Sequence, residues 1–264
     1  MRVASLNLAS GRGPGGRYLA GAALGAAVAG VGADVVAVQE VDTGQSRSHG
    51  DDQPAVLAAG LGAVDWRAAA TMAGEPRPDP LPSWSPVGPV VLRGPGDPAP
   101  GPRYGIALFS RVPVRRWHVL GLGAGRARLP VPVPADGGGT RIAWFPDEPR
   151  AAVAAELGTL TVVAAHLSFA PPTALRQLRL LRRWAAGLPG PVLVAGDLNL
   201  PGSVPALLTG GRRLVDGPTF PASAPRVQLD HLLALGGLTG TGPAVLRLGV
   251  GDHRAVAATV TSAG

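Results

Sequence analysis

The chain has 264 residues, 46% of them hydrophobic, and a formal net charge of +7. That is ample apolar material for a core and suits one large domain or two small ones. Cysteine is absent, which excludes disulfides, thiolate metal sites and a thiol nucleophile. A reducing compartment fits this composition, so the cytoplasm is the expected location. All 24 basic residues are arginine, in a chain crowded with Gly, Ala and Pro. These residue types share GC-rich codons, so base composition accounts for much of the positive charge. The charge permits phosphate binding without establishing it.

In chain order, Arg2 to Leu8 reads as a strand with Asn7 near its end, followed by a glycine-rich loop. Tyr18 to Val31 reads as a helix facing the core. Its apolar stretch is too short and glycine-rich to span a bilayer, and a patterned strand precedes it. Neither a transmembrane segment nor a signal peptide is expected. Asp34 to Val41 is a second buried strand, ending in Gln39-Glu40-Val41-Asp42. Pro54 to Leu61 has the N-terminal proline and apolar spacing of a short helix, and Val64 to Ala70 fits a strand. Residues 72–103 hold ten of the 28 prolines, which excludes a regular helix or central strand there. The segment reads as a surface excursion, either disordered or a flap over a cleft. Tyr104 to Arg111 resumes the strands, with shorter ones at Val114 to Leu120 and Arg141 to Phe145. Arg150 to Leu157 and Thr159 to Leu167 flank Gly158 as a hairpin, with His166 at the end of its second arm. Thr173 to Ala186 has leucines on one side and arginines elsewhere, the pattern of an amphipathic helix.

Val192-Leu193-Val194-Ala195 is a fully buried strand that breaks at Gly196 into Asp197-Leu198-Asn199. Asp197 and Asn199 point to one side in extended backbone. Two such polar groups at the end of a buried strand are costly unless they work or are tied down; the alternative is an Asx-turn. Residues 200–225 read mostly as loop. Val227 to Leu233 carries Asp230 and His231, and the strands Ala244 to Val250 and Arg254 to Val260 flank the turn Gly251-Asp252-His253. No internal repeat is visible, and residues 1–264 are expected to form a single domain and a monomer. Polar residues recur where strands end: Asn7, Glu40, His166, Asp197, Asn199, Asp230, Asp252 and His253. Strand ends on one rim of a sheet sandwich can converge on one cleft.

Taken in order, Ser5-Leu6-Asn7, Val38-Gln39-Glu40-Val41, the Gly105 to Arg111 strand, Ala165-His166-Leu167, Gly196-Asp197-Leu198-Asn199, Leu229-Asp230-His231 and Gly251-Asp252-His253 resemble the motifs of the endonuclease/exonuclease/phosphatase superfamily. The resemblance implies a four-layer α/β sandwich, two mainly antiparallel sheets packed face to face with helices outside. It also implies a metal-dependent phosphoester hydrolase using Mg²⁺ or Mn²⁺ and in-line attack of an activated water. On that reading Glu40 ligates the metal, Asn7 binds a water of the metal or the substrate phosphate, and Asp252 is a further ligand, direct or through water. Asp230 orients His253. Either His253 or Asp197 activates the water, and Asn199 donates to the phosphate. His166 stabilises the transition state or acts as general acid, and Arg150 contacts phosphate. Hard oxygen donors suit Mg²⁺ and Mn²⁺.

Two positions depart from the family pattern. No acid precedes the Gly105 strand, where Pro102-Arg103-Tyr104 stands, so the partner of His166 is not apparent. Gly251 replaces a usual serine. His231 is expected to pack, and His49, His118 and Arg47 to be surface residues. DNA is the favoured phosphodiester substrate; lipid or inositol phosphates are the alternative. No stretch reads as a hairpin of exposed aromatics for membrane insertion, which counts against lipid. A catalytically silent binding module on the same fold is the rival from another class, but silent relatives lose site residues that this chain keeps.

Overall fold

The Val-, Ala- and Leu-rich runs pair into two stacked sheets in the computed structural model, which describes residues 1–75, 84–134 and 139–262. The strands are β1 (Arg2–Asn7), β2 (Val35–Thr43), β3 (Asp65–Gly74), β4 (Trp84–Pro86), β5 (Leu92–Arg93), β6 (Arg103–Ser110), β7 (Arg116–Gly123), β8 (Arg128–Pro134), β9 (Thr140–Pro146), β10 (Arg150–Glu156), β11 (Thr161–His166), β12 (Val192–Asp197), β13 (Arg212–Arg213), β14 (Asp230–Leu235), β15 (Leu238–Leu246) and β16 (Ala255–Ser262). The helices are α1 (Gly21–Ala29), α2 (Gln53–Leu61), α3 (Pro171–Ala185) and α4 (Val204–Thr209).

One sheet runs β15-β16-β1-β2-β6-β3-β4, with β5 also on β3; the other runs β13-β14-β12-β11-β10-β7. Each is antiparallel except for one pair, β1 with β2 and β11 with β12. Val3, Val35 and Leu108 of the first sheet meet Val153, Val162 and Leu193 of the second in a shared core. Leu24 and Val28 of α1 and Leu57 of α2 cover the outer face of the first sheet at Leu6, Val38 and Phe109. Leu178 and Leu181 of α3 cover the second at Val163 and Val194. The order of layers is therefore helix, sheet, sheet, helix, the sandwich that the motifs imply. No helix among the described residues is long and apolar enough to cross a membrane.

Three departures of the structure from the sequence reading bear on the site and its surroundings. The strand at Glu40 does not stop at Val41 but continues to Thr43, through a bulge between Gln39 and Val41. The proline-rich stretch rejoins the sheet edge, because β4 and β5 both pair with β3, and an ion pair of Arg93 with Asp52 ties it down. Residues 76–83 of that stretch lie outside the described residues. Residues 200–225 include the short helix α4.

The sequence reading assigned no element to β8, which carries Pro130, Pro132 and Pro134. Prolines at every second position of a two-stranded ribbon remove only the N–H groups on its outer edge, so the ladder to β9 survives. This ribbon carries exposed Ile142 and Trp144. It supplies the hairpin with an exposed aromatic that the sequence alone did not reveal.

Candidate active site

Both parallel strand pairs end at the same rim, and the register sets the polar residues side by side. His166 of β11 is the neighbour of Asp197 on β12, which is in turn the neighbour of Asp230 on β14. Gly196 makes this approach possible: a Cβ there would lie 1.9 Å from the carbonyl oxygen of Ala165. On the facing sheet β1 ends at Asn7, and β2 turns out Glu40 at its bulge with φ +57°. Left-handed backbone at a non-glycine residue costs energy and marks a constrained position. Here the bulge re-aims the carboxylate toward the cleft.

The Asn7 amide joins the two sheets. Its Nδ2 donates to Glu40 Oε1 at 3.0 Å and to Asp197 Oδ2 at 3.1 Å, while its Oδ1 accepts the Ala9 N–H at 3.0 Å. Asp197 Oδ1 accepts the Asn199 N–H at 3.0 Å, and the Asn199 side chain donates to the Leu167 carbonyl at 2.9 Å. Asp197 Oδ2 lies 3.8 Å from His166 Nε2 and 3.8 Å from His253 Nδ1. His253 Nδ1 hydrogen-bonds Asp230 Oδ2 at 2.8 Å, and the ring of Phe220 leans on the imidazole at 4.7 Å. Burial alone would push His253 toward the neutral form. Its hydrogen bond to Asp230 and the charges of Asp230, Asp197 and Asp252 outweigh that and raise its pKa to about 10. Asp197 is pushed up to about 7, first by burial and then by the Asp230 carboxylate. At neutral pH His253 is therefore an imidazolium and Asp197 is poised near its titration point.

His166 has an unexpected partner. Arg150 Nη1 lies 2.8 Å from His166 Nδ1 and 3.1 Å from Glu148 Oε2. A guanidinium can only donate, so Nδ1 of His166 is the acceptor and the proton sits on Nε2. Burial, then the Arg150 charge, then His253 push the His166 pKa well down. The histidine is then a neutral imidazole whose Nε2–H faces Asp197 Oδ2 at 3.8 Å.

The other expected residues fall on either side of the cluster. Asp252 reaches the rim, but its carboxylate pairs with Arg12 at 2.9 Å and is partly exposed. Gly251 has φ +82°, and a Cβ there would lie 2.4 Å from the Asn7 carbonyl oxygen; the turn has no space for the usual serine. His231 is buried and hydrogen-bonds the Leu200 carbonyl. Arg47 forks onto buried Asp42 at 2.7 and 2.8 Å, a structural pair and not a free surface group. His49 is exposed, and His118 pairs with Glu156. Glu148, Arg12 and Phe220 were missed. Only Glu148, inside Asp147-Glu148-Pro149-Arg150, had a sequence signal, and there the arginine drew the attention.

A divalent cation fits this site by its charge and donors. Burial raises the Glu40 pKa; the Asn7 hydrogen bond opposes this, and Glu148 and Asp252 raise it further. Asp230 Oδ1 is buried with no hydrogen-bond partner among the described residues. Asp197, Asp230 and His253 offer atoms within 4.8 Å of one another. The short Asp230–His253 bond, however, already uses the Nδ1 of that trio. The hard oxygens of Glu40 are the freer donor, and a surplus of buried carboxylate makes an added dication favourable there.

The two-sheet sandwich thus brings an Asn–Glu pair on one sheet edge against an Asp–His network on the other. The family model described as "Endonuclease/Exonuclease/phosphatase family" matches residues 4–253, and the chain belongs to that family, whose members are divalent-metal-dependent phosphoester hydrolases. No curated protein matches by sequence. Among solved structures, an endonuclease/exonuclease/phosphatase from Beutenbergia cavernae is 22% identical with a TM-score of 0.64, over 100% of this chain and 72% of that one. A mannosyl-6-phosphatase from Bacteroides thetaiotaomicron is 15% identical with a TM-score of 0.60, over 99% of each chain. D. rerio TDP2 complexed with single strand DNA product is 13% identical with a TM-score of 0.54, over 99% of each chain. At these identities the likeness shows the fold.

Proposed function

We propose that the chain is a phosphodiesterase that hydrolyses DNA with Mg²⁺ or Mn²⁺ by in-line attack of water. The observation that carries this reading is the single network Glu40–Asn7–Asp197 with the Asp230–His253 pair beside it. Glu40 holds the metal, Asn7 fixes the Glu40 and Asp197 carboxylates at one spacing, and Asp252 adds negative charge at the rim. A dication held there would supply neutralisation of charge on the phosphoryl oxygens. Asp197 takes the proton from the attacking water, since its pKa near 7 suits a general base at neutral pH. His253, held charged by Asp230, faces the phosphoryl oxygens as a cation, which assigns the base role to Asp197. His166 Nε2–H and the Asn199 amide supply further donors where charge develops. Arg150 holds the His166 tautomer and adds positive charge. DNA is preferred because a net charge of +7 favours polyanions by counterion release, an argument whose weight the GC-rich codon bias reduces. One structural neighbour, D. rerio TDP2, is complexed with single strand DNA product, and this supports the reading.

A substrate panel with Mg²⁺ and Mn²⁺ tests this: plasmid DNA, single-stranded and abasic oligonucleotides, RNA, sphingomyelin, phosphoinositides and mannose 6-phosphate. Turnover of DNA is expected. Turnover of a lipid, inositol or sugar phosphate with every nucleic acid intact would reject the substrate while leaving the hydrolase.

Glu40→Gln removes the charged oxygen donor and keeps the size. The metal concentration for half-maximal rate should rise by at least tenfold, with saturating metal recovering part of the rate. An unchanged metal titration would remove Glu40 from the metal site.

The rate should follow a broad bell in pH. It rises as Asp197 loses its proton, near pH 7 at limiting metal, and falls as His253 loses its own near pH 10. A nearby dication favours the ionised carboxylate, so more metal should move the acid limb to lower pH. A base limb near pH 6.5 would mean that His253 is not held charged.

A further inference from the structure

The ribbon of β8 and β9 belongs to neither main sheet. Its register sets Pro130 opposite Trp144 and Arg128 opposite Pro146. Directly opposite residues share a face, so Ile142, Trp144, Pro130 and Arg128 lie on one side of the ribbon. Trp144 is 59% exposed and Ile142 55%; Arg128 and the nearby Arg126 are also exposed. An indole left that open is normally covered by a partner. The outer edge of β8 lacks N–H groups at each proline, so it is a poor template for a strand from a second copy. The feature left to explain is the face.

The root of the ribbon is fixed to the cleft. Asp147 directly follows β9, and its carboxylate accepts the Gly125 N–H at 2.6 Å and the Ser168 hydroxyl at 2.7 Å. Glu148 and Arg150 of the site come next. Trp144 is six residues before Arg150, so at about 3.3 Å per residue the two are no more than about 20 Å apart. Along the face toward the cleft the order is Ile142, Trp144, Arg128.

We propose that this face binds a single-stranded stretch of the nucleic-acid substrate, with Trp144 stacked on an unpaired base and Arg128 on the phosphate nearer the cleft. This rests on the DNA reading above and adds the strandedness and the subsite. Grooves for single strands pair aromatic platforms with cations in this way, because every base offers a π-face and every link a charge. A duplex keeps its bases stacked and offers Trp144 nothing. An anionic bilayer is the poorer occupant, since the sequence joining the strands, Ala135-Asp136-Gly137-Gly138-Gly139, has an acid and glycines where an inserting tip needs large apolar residues.

The full chain should be tested in EDTA, so that binding is read without cleavage, by anisotropy of a fluorescently labelled oligothymidylate. Trp144→Ala should weaken binding by roughly tenfold or more, the scale of losing one stacked base, and Trp144→Phe should restore most of it. Arg128→Ala should lower the slope of affinity against salt by about one phosphate contact. Trp144 is 59% exposed, so Trp144→Ala should unfold at the wild-type Tm, which separates loss of binding from loss of fold. Oligothymidylate binding that Trp144→Ala leaves unchanged would overturn the proposal, as would Trp144-dependent binding to phosphatidylserine vesicles without any effect on the oligonucleotide. Wild-type protein that cleaves a small chromogenic phosphodiester but binds no oligothymidylate would overturn it too, with the hydrolase assignment intact.

Discussion

Asp197→Asn should lower kcat by roughly 10²- to 10⁴-fold, the scale for losing a positioned general base, while the protein unfolds no earlier than wild type. The two halves of this expectation share one cause. Asp197 is buried beside Asp230, and its folded pKa of about 7 lies far above the usual carboxylate value. A carboxyl whose pKa is raised on folding is destabilising once ionised, a cost that grows as pH rises from its unfolded pKa to its folded one. At neutral pH the asparagine removes that cost together with the base. Tm and kcat should therefore move apart, Tm holding or rising while kcat collapses. A variant that loses both would mark Asp197 as a structural residue, and one that keeps its kcat would return the base role to His253.

His253→Gln should lower kcat by about 10²-fold or more, and His253→Ala should in addition destabilise the fold. The imidazolium is the cation closest to the fully buried Asp230, whose other oxygen has no hydrogen-bond partner among the described residues. Removing it leaves two buried carboxylates facing each other, and breaking a buried pair in this way costs on the order of 3–5 kcal/mol. The glutamine keeps a donor toward Asp230 and so separates catalysis from stability. The histidine contributes stability that is complete below its unfolded pKa, near 6.5, and is lost as pH rises through about 10. The wild-type Tm should accordingly fall on the alkaline side of that range, and the His253→Gln Tm should not. His49→Ala, at an exposed histidine that touches the Tyr18 carbonyl, should leave both kcat and Tm near wild type. Equal losses at His49 and His253 would reject the site.

Much of this site was legible because its residues sit at strand ends, where buried apolar runs stop and a polar group is conspicuous. Asn7, Glu40, His166, Asp197 and Asp230 were all found that way, and the register of the sheets is what makes such ends meet. The partnerships were not legible. Nothing local in Arg150 or His166 says that one donates to the other, since the contact joins the start of β10 to the end of β11 across a hairpin. The missing acid before the Gly105 strand was visible, but its physical consequence, a neutral histidine held by a cation, needed coordinates. The bulge at Glu40 was hidden because it depends on β6, not on the residues beside it. The proline-alternating strand β8 was left unassigned for a similar reason: a proline forbids a ladder bond only when its nitrogen faces the partner, and facing is a property of the pairing.

The central claim is that this network hydrolyses phosphodiesters with a divalent cation. The most direct test is one experiment on a small chromogenic phosphodiester, with wild type and Asp197→Asn each assayed in Mg²⁺, in Mn²⁺ and in EDTA. Wild type should turn over in either metal and stop in EDTA, with activity returning when metal is restored, and Asp197→Asn should stay near background throughout. Full wild-type activity in EDTA, or equal rates for the two proteins in Mg²⁺, would contradict the account.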